Sequence, residues 1–101
     1  MEFPRDFRMK IRLLTPEEGG RKVPLLPGTM GRDLFDHPEI SGGWGVWFTV
    51  EETLELGESR IVEAAPLVRE ISQKFHPGLR FFLNEGPHQV LECEVLERLD
   101  D

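Results

Sequence analysis

The stretch F-R-M-K-I-R-L, residues 7–13, alternates strictly between apolar and basic side chains. A period of two is the signature of a β-strand that separates an apolar face from a polar one. The apolar face comprises Phe7, Met9, Ile11 and Leu13, and the basic face comprises Arg8, Lys10 and Arg12. This is the clearest strand signal in the chain, and residues 15–20 end it in a turn.

The rest of the chain is divided into short segments by eight prolines and ten glycines, a spacing typical of an all-β domain. Further strands are predicted at residues 42–50, 59–68, 79–84 and 90–96. Residues 68–75 could instead form a short helical turn, because Val68, Ile71 and Phe75 follow 3–4 spacing. Five or six strands in a chain this short predict a small closed β-barrel, which leaves no exposed sheet edge.

The chain of 101 residues is predicted to form a single domain, residues 1–101, with the barrel at about 7–99 between short tails. Cys93 is the single cysteine, which excludes an internal disulfide and suits a reducing cytosol. No apolar run approaches the ~18–20 residues that span a bilayer. The charged first residues also lack the apolar stretch of a secretory signal. We therefore expect a cytoplasmic protein with no membrane association.

The charge balance bears most directly on function. Twelve Lys and Arg residues against 19 Asp and Glu residues give a net charge of -7. Such a charge repels polyanions at long range, so nonspecific nucleic-acid binding is disfavoured unless a local basic patch overrides it. In a closed barrel the first and last strands are expected to be neighbours. Glu92 and Glu94 would then pair with the basic face of residues 7–13, each pair contributing about 0.2–1 kcal/mol.

Two segments carry a resemblance to a known family. Residues 7–24 read F-R-M-K-I-R-L-L-T-P-E-E-G-G-R-K-V-P, and residues 78–86 read G-L-R-F-F-L-N-E-G. Together they resemble the C-terminal β-barrel domain of elongation factor Tu, which has an alternating first strand, an acidic turn followed by Gly-Gly-Arg, and a later Gly-Leu-Arg-Phe strand. The resemblance covers about residues 7–99 and implies a six-stranded antiparallel barrel that stands alone.

The resemblance does not extend to the nucleotide machinery. No G-x-x-x-x-G-K-[ST] phosphate loop occurs, so there is no basis for GTP binding. The family's Arg-Pro-Gln-Phe segment is replaced by residues 28–35. In the translation factor this barrel contacts aminoacyl-tRNA and the exchange factor. The resemblance therefore implies one alternative, an RNA- or tRNA-contacting accessory barrel that uses the basic residues Arg8, Lys10, Arg12 and Arg80.

The most suggestive binding segment is G-G-W-G-V-W, residues 42–47. Tryptophan is enriched at interaction hot spots, and three glycines favour tight turns around Trp44 and Trp47. Trp44 is predicted to be the exposed one, whereas Trp47 could pack on the outer face of the barrel. The turn at residues 17–21 has two glycines, both predicted to supply positive φ, and could present Arg21; Arg32 lies in a second candidate loop.

No residue pattern indicates catalysis or a metal site. Asp33, Asp36, His37, His76 and His88 match no compact ligand spacing. Ser41 and Ser59 lack a G-x-S-x-G context, and Cys93 lies between two glutamates, which disfavour a thiolate. We therefore expect neither catalytic residues nor a cofactor. The sequence predicts a non-catalytic binding module that contacts an unknown protein partner through Trp44, Trp47, Arg21 and Arg32.

Overall fold

A computed structural model describes residues 4–34, 37–40 and 44–100, with the side chain of Trp44 outside the described part. Its strands are β1 (Phe7–Leu13), β2 (Gly28–Leu34), β3 (Trp44–Val50), β4 (Ser59–Pro66), β5 (Arg80–Glu85) and β6 (His88–Arg98). They close into an antiparallel barrel in the order β1–β4–β3–β2–β5–β6. Two short 3-10 turns, Pro16–Glu18 and Arg69–Lys74, lie between strands. The predicted all-β, six-stranded antiparallel barrel is confirmed.

Strand β2 is the element that the sequence reading lacks. Gly28 and Gly31 have low strand propensity, and Arg32 interrupts the alternation of Met30 and Leu34. The strand forms because it pairs with β3 over seven consecutive residue pairs. Pairing with β3 thus outweighs the low β-strand propensity of these residues. The helical turn predicted at residues 68–75 is present as the second 3-10 turn.

The inward side chains of the strands meet in one core. The apolar face of β1 is fully buried, as its alternation predicts. Phe75, which follows the second 3-10 turn, stacks on Phe7 with ring centroids 5.0 Å apart. It meets the ring of Phe81 edge-on at 5.4 Å. These aromatic contacts anchor the turn to the core. Stacked and edge-on ring pairs stabilise a fold beyond the contribution of the buried area of the rings.

A polar cluster ties the start of β1 to this turn. Asp6 is only 5% exposed, and its carboxylate accepts hydrogen bonds from Arg69 Nη2 at 2.8 Å and from the Ser72 hydroxyl. Arg98 Nη2 donates to the same hydroxyl at 3.1 Å. We name Asp6, Arg69, Ser72 and Arg98 the Asp6 clasp. It joins the segment before β1 to β6 and the second 3-10 turn, so buried packing begins one residue before the predicted barrel.

The predicted neighbourhood of the first and last strands is confirmed. In the register of β1 and β6, Arg12 lies opposite Glu92 and Lys10 lies opposite Glu94. The outer face of β1 therefore lies beside the acidic face of β6. This placement decides how much of the basic face remains available to a ligand.

Candidate functional site

The outer wall of β2, β3 and β4 carries an apolar surface centred on Trp47. The register aligns Gly31, Trp47 and Ala65 in one row across the three strands. Gly45 lies in the neighbouring row, where its carbonyl accepts a hydrogen bond from the Leu67 N–H at 2.7 Å. We name these five residues, Gly31, Gly45, Trp47, Ala65 and Leu67, the Trp face.

The indole of Trp47 lies against the main chain of Gly31. A Cβ atom at Gly31 would be 3.0 Å from indole Cε2 and 3.2 Å from Cδ2, so a larger residue there would displace the ring. Trp47 alternates with the buried Val46 and Phe48 and is itself partly exposed. Because Gly31 has no side chain, the indole of Trp47 can lie along the surface of the barrel.

Leu67 extends this surface beyond the end of β4. Its side chain is 61% exposed, and its Cβ would lie 3.8 Å from a Cβ placed at Gly45. Ala65, which lies opposite Trp47 in the register, is buried at 2% exposure. The Trp face is therefore shallow, with Trp47 and Leu67 as its large apolar side chains. The prediction for Trp44 falls on a side chain outside the described residues.

Arg21 and Arg32 are brought together by Glu85, near the tip of the β5–β6 hairpin. Arg21 Nη1 and Arg32 Nε both donate to Oε2 of Glu85, the second at 2.7 Å. Arg21 Nε also donates to the Val23 carbonyl at 3.0 Å. The two side chains are 21% and 23% exposed. Arg21 lies in the loop after β1, whereas Arg32 lies in strand β2 and not in the loop that the sequence predicts. Their guanidinium groups hold this loop and β2 to the hairpin, and their contact with a partner stays a prediction.

Three of the four basic residues considered for RNA line one open depression of about 560 Å³: Lys10, Arg12 and Arg80. Glu92 and Glu94 line it as well. Arg12 Nε donates to Glu92 at 3.1 Å, and Arg80 Nε lies 3.6 Å from Glu94. The depression therefore carries both signs of charge.

The remaining members of the basic face differ in their pairing. Arg8 lies between Glu97 and Glu63, with 3.3 Å from Arg8 Nη2 to Glu63. Lys10 forms no ion pair with any residue in the described part of the chain. The basic face is thus largely neutralised by acidic neighbours, with Lys10 as its unpaired cation.

His37 and His76 take part in local hydrogen bonds. The Glu39 N–H donates to His37 Nδ1 at 3.0 Å, so the His37 proton resides on Nε2 and is donated to the Arg80 carbonyl at 2.8 Å. His76 Nε2 faces the Glu39 carboxylate at 3.0 Å, and its Nδ1 faces the Pro77 carbonyl at 3.1 Å. These acceptors, Glu39 first, raise the pKa of His76.

The remaining candidates for chemistry include Cys93, His88 and Asp36. Cys93 is 2% exposed, and burial, with the nearby charge of Glu92, raises the pKa of its thiol. His88 lies opposite Glu85 in the register of the β5–β6 hairpin. Asp36 is outside the described residues. Within residues 4–34, 37–40 and 44–100, no three His, Cys, Asp or Glu side chains are grouped as metal ligands would be. Over the same residues, no helix has the length and apolarity needed to cross a bilayer.

Glu18, in the turn before Gly19, forms a two-point ion pair with Arg12 of β1. Arg12 donates from Nη1 and Nη2 to the two oxygens of Glu18 at 3.0 and 2.8 Å. The Thr15 N–H also donates to Glu18 at 3.0 Å. The Arg12 hydrogen bonds, followed by that of Thr15, lower the pKa of Glu18 from 4.5 to about 2.

This shift predicts a pH dependence of stability. A carboxyl whose pKa is lowered by folding stabilises the fold above its unfolded pKa, and the contribution is lost as pH falls through the folded value. We therefore expect Glu18→Gln to be less stable than wild type above pH 4.5, with the gap closing as the pH approaches 2. Urea unfolding at a series of pH values measures this gap. Glu17→Gln is the matched control, and a Glu18→Gln gap that is constant with pH would contradict the assignment.

A search with protein-family models found none that matches this chain.

Proposed function

We propose that this barrel is a non-catalytic binding module that contacts a protein partner through the Trp face. The observation that carries the proposal is the pairing of a partly exposed Trp47 with Leu67, which is 61% exposed, on one glycine-lowered wall. A contiguous exposed apolar patch on a folded domain is typical of an interaction site. Tryptophan in particular contributes a large share of binding energy where it is covered by a partner.

The geometry also suits a flat, protein-sized contact. Gly31 places no side chain beside the indole of Trp47, and Gly45 places none beside Leu67, so a broad surface can approach both residues. The acidic chain, with a net charge of -7, favours a partner surface that is neutral or basic. Arg21 and Arg32, predicted as further contacts, are held by Glu85, and a partner carboxylate would have to compete for them.

Affinity capture from an extract of the native cell tests this proposal. We expect a protein that is recovered with wild type to be depleted by both Trp47→Ala and Leu67→Ser, with a loss of affinity of about tenfold or more for each. Leu96→Ser is the matched control, because Leu96 is 39% exposed on β6, across the barrel from β3. Circular dichroism confirms that each variant folds. Equal recovery with all four proteins would refute the role of the Trp face.

We also propose that the barrel is related to the C-terminal barrel of elongation factor Tu and acts in the cytoplasm. The sequence resemblance over about residues 7–99 and the six-stranded antiparallel architecture support this kinship. An RNA-contacting role is the second candidate. It is supported by Lys10, which forms no ion pair with a described residue, and by Arg80, whose side chain is 80% exposed. Genuine phosphate contacts would weaken steeply with salt, so a tRNA titration at low and physiological ionic strength tests that role.

A further inference from the structure

Residues 37–40, which lie between β2 and β3 in the chain, form a short strap that is anchored in the core. Ile40 is fully buried among the core side chains. Its N–H donates to the carbonyl oxygen of His37 at 3.2 Å, which closes the strap into a tight turn. His37 and Pro38 form part of the wall of the open depression of about 560 Å³. We name residues 37–40 the His37 strap.

The hydrogen bonds of His37 need its neutral form. Its Nδ1 accepts the Glu39 N–H at 3.0 Å, and its Nε2 donates to the carbonyl oxygen of Arg80 at 2.8 Å. A neutral imidazole has one acceptor nitrogen and one donor nitrogen, which is what these two contacts require. A second proton on His37 would place an N–H on Nδ1, directly against the N–H of Glu39, and this hydrogen bond would be lost.

The contacts of His76 have the opposite requirement. Its Nε2 faces the Glu39 carboxylate at 3.0 Å, and its Nδ1 faces the carbonyl oxygen of Pro77 at 3.1 Å. Both partners are acceptors, so only the doubly protonated ring donates to both. These hydrogen bonds, that of Glu39 first, raise the pKa of His76 above 6.5. The stabilisation of the strap by this charge is therefore present below pH 6.5 and is lost as the pH rises through the raised value.

The other charged groups beside the strap balance one another. Three cations and two carboxylates line the depression next to His37: Lys10, Arg12, Arg80, Glu92 and Glu94. Glu18, which pairs with Arg12, brings the count to three of each sign. Among the described residues, Glu39 supplies the charge that acts on His76; Asp36, which precedes the strap, lies outside them. Both histidines thus act on Glu39, one on its main chain and one on its side chain.

We propose that the His37 strap is a pH-sensitive latch, docked most firmly within a limited range of pH. Above this range His76 loses its charge, which weakens its contact with Glu39. Below it His37 gains a second proton and releases the Glu39 N–H. Undocking takes Ile40 out of the core and removes His37 and Pro38 from the wall of the depression. The latch shares no residue with the Trp face, so it goes beyond the proposed function.

Amide exchange measured by NMR tests the latch, between about pH 4 and pH 9, a range that brackets the titration of histidine. The reporter is the protection of the Ile40 amide relative to its intrinsic exchange rate at the same pH. On the acid side we expect protection to fall by about tenfold, the effect of one lost hydrogen bond. On the alkaline side it should fall by about threefold, because the His76–Glu39 pair is exposed. Constant protection would overturn the proposal.

Two variants assign each side of the pH profile to one ring. His37→Asn retains an acceptor near the position of Nδ1, because asparagine Oδ1 can accept the N–H two residues further on, and it does not titrate. The acid-side loss should disappear in this variant, although protection is lower at every pH without the bond to Arg80. His76→Gln retains a donor toward Glu39 without a charge, so the alkaline-side loss should disappear. A loss that persists in its variant would overturn the proposal; on the acid side it would point to titration of Glu39 instead.

His88→Gln is the matched control, because His88 lies opposite Glu85, at the other end of β5 from Arg80. It should leave both sides of the profile unchanged, and removal of either loss by this variant would also overturn the proposal. Urea unfolding confirms that each variant folds. If His37→Asn does not fold, the nitrogen shifts of the imidazole rings in wild type decide. The acid-side loss of Ile40 protection must then follow the protonation of His37, and a loss at a different pH would contradict the latch.

Discussion

Replacing Asp6 with alanine is expected to lower the free energy of unfolding by about 3 kcal/mol, a large part of the ~5–15 kcal/mol typical of a domain. The carboxylate is buried and receives hydrogen bonds from Arg69 and Ser72. Without it, the Ser72 hydroxyl loses its acceptor in a buried site, and Arg98 keeps a partner whose orientation is no longer fixed. Unsatisfied buried polar groups cost about 1–3 kcal/mol each.

Urea unfolding of the Asp6→Ala variant measures this loss. Asp33→Ala is the matched control, because Asp33 is exposed and forms no ion pair with a described residue, so its change should stay within about 0.5 kcal/mol. Burial raises the pKa of Asp6, but hydrogen bonds from Arg69 and Ser72 and the charges of Arg69 and Arg98 outweigh it and lower the pKa below 3.8. The contribution is therefore present above that pH and lost in stronger acid. Similar decreases in the free energy of unfolding for both variants would show that the Asp6 clasp does not stabilise the fold more than an exposed aspartate does.

Gly20→Ala is the second substitution with a large expected effect. A Cβ atom at this position would lie 2.5 Å from the Leu14 carbonyl oxygen and 2.6 Å from Leu14 Cβ. Leu14 cannot move aside freely, since it is buried and its N–H donates to Val90 O at 2.9 Å. Overpacking of a fixed site costs up to about 3 kcal/mol, and we expect a destabilisation of that size.

The neighbouring glycine provides an internal comparison. Gly19 has φ of +84° and open space around its Cβ position, so Gly19→Ala should cost about 1 kcal/mol from backbone strain alone. Thermal or urea unfolding of both variants ranks the two effects. A Gly20→Ala variant as stable as Gly19→Ala would show that the Leu14 contact relaxes easily. The sequence prediction that both glycines supply positive φ is right for Gly19 and wrong for Gly20, which is needed for close approach.

The part of the fold that follows from the sequence is the part with regular alternation. Strand β1 has the predicted bounds, and its pairing with the acidic face of β6 follows from barrel closure. The Arg12–Glu92 pair could be anticipated on that ground, because it needs only register and charge. Strand β2 could not, since its glycines and Arg32 obscure the period of two.

The contacts between distant segments could not be predicted from local pattern. Asp6 stands in a charged stretch that resembles a solvated tail, and its burial depends on Arg69 and Ser72 from another turn. Arg21 and Arg32 look like exposed loop cations, yet one carboxylate, Glu85, draws both together. For the Trp face, the segment at residues 42–47 gave the signal for Trp47. The companion Leu67 carries no such signal, because its exposure depends on where β4 ends.

The pairing of β1 with β6 also bears on how the barrel forms. Its rows join Phe7 to Arg98 and Leu13 to Leu91, residues that are far apart along the chain. Non-local pairing costs chain entropy before it gains contacts, so topologies of this kind fold in milliseconds to seconds. On the ribosome, β1 has to wait until β6 has emerged before the cylinder can close. Until then both closing strands offer bare edges, which makes this interval the one in which aggregation competes with folding.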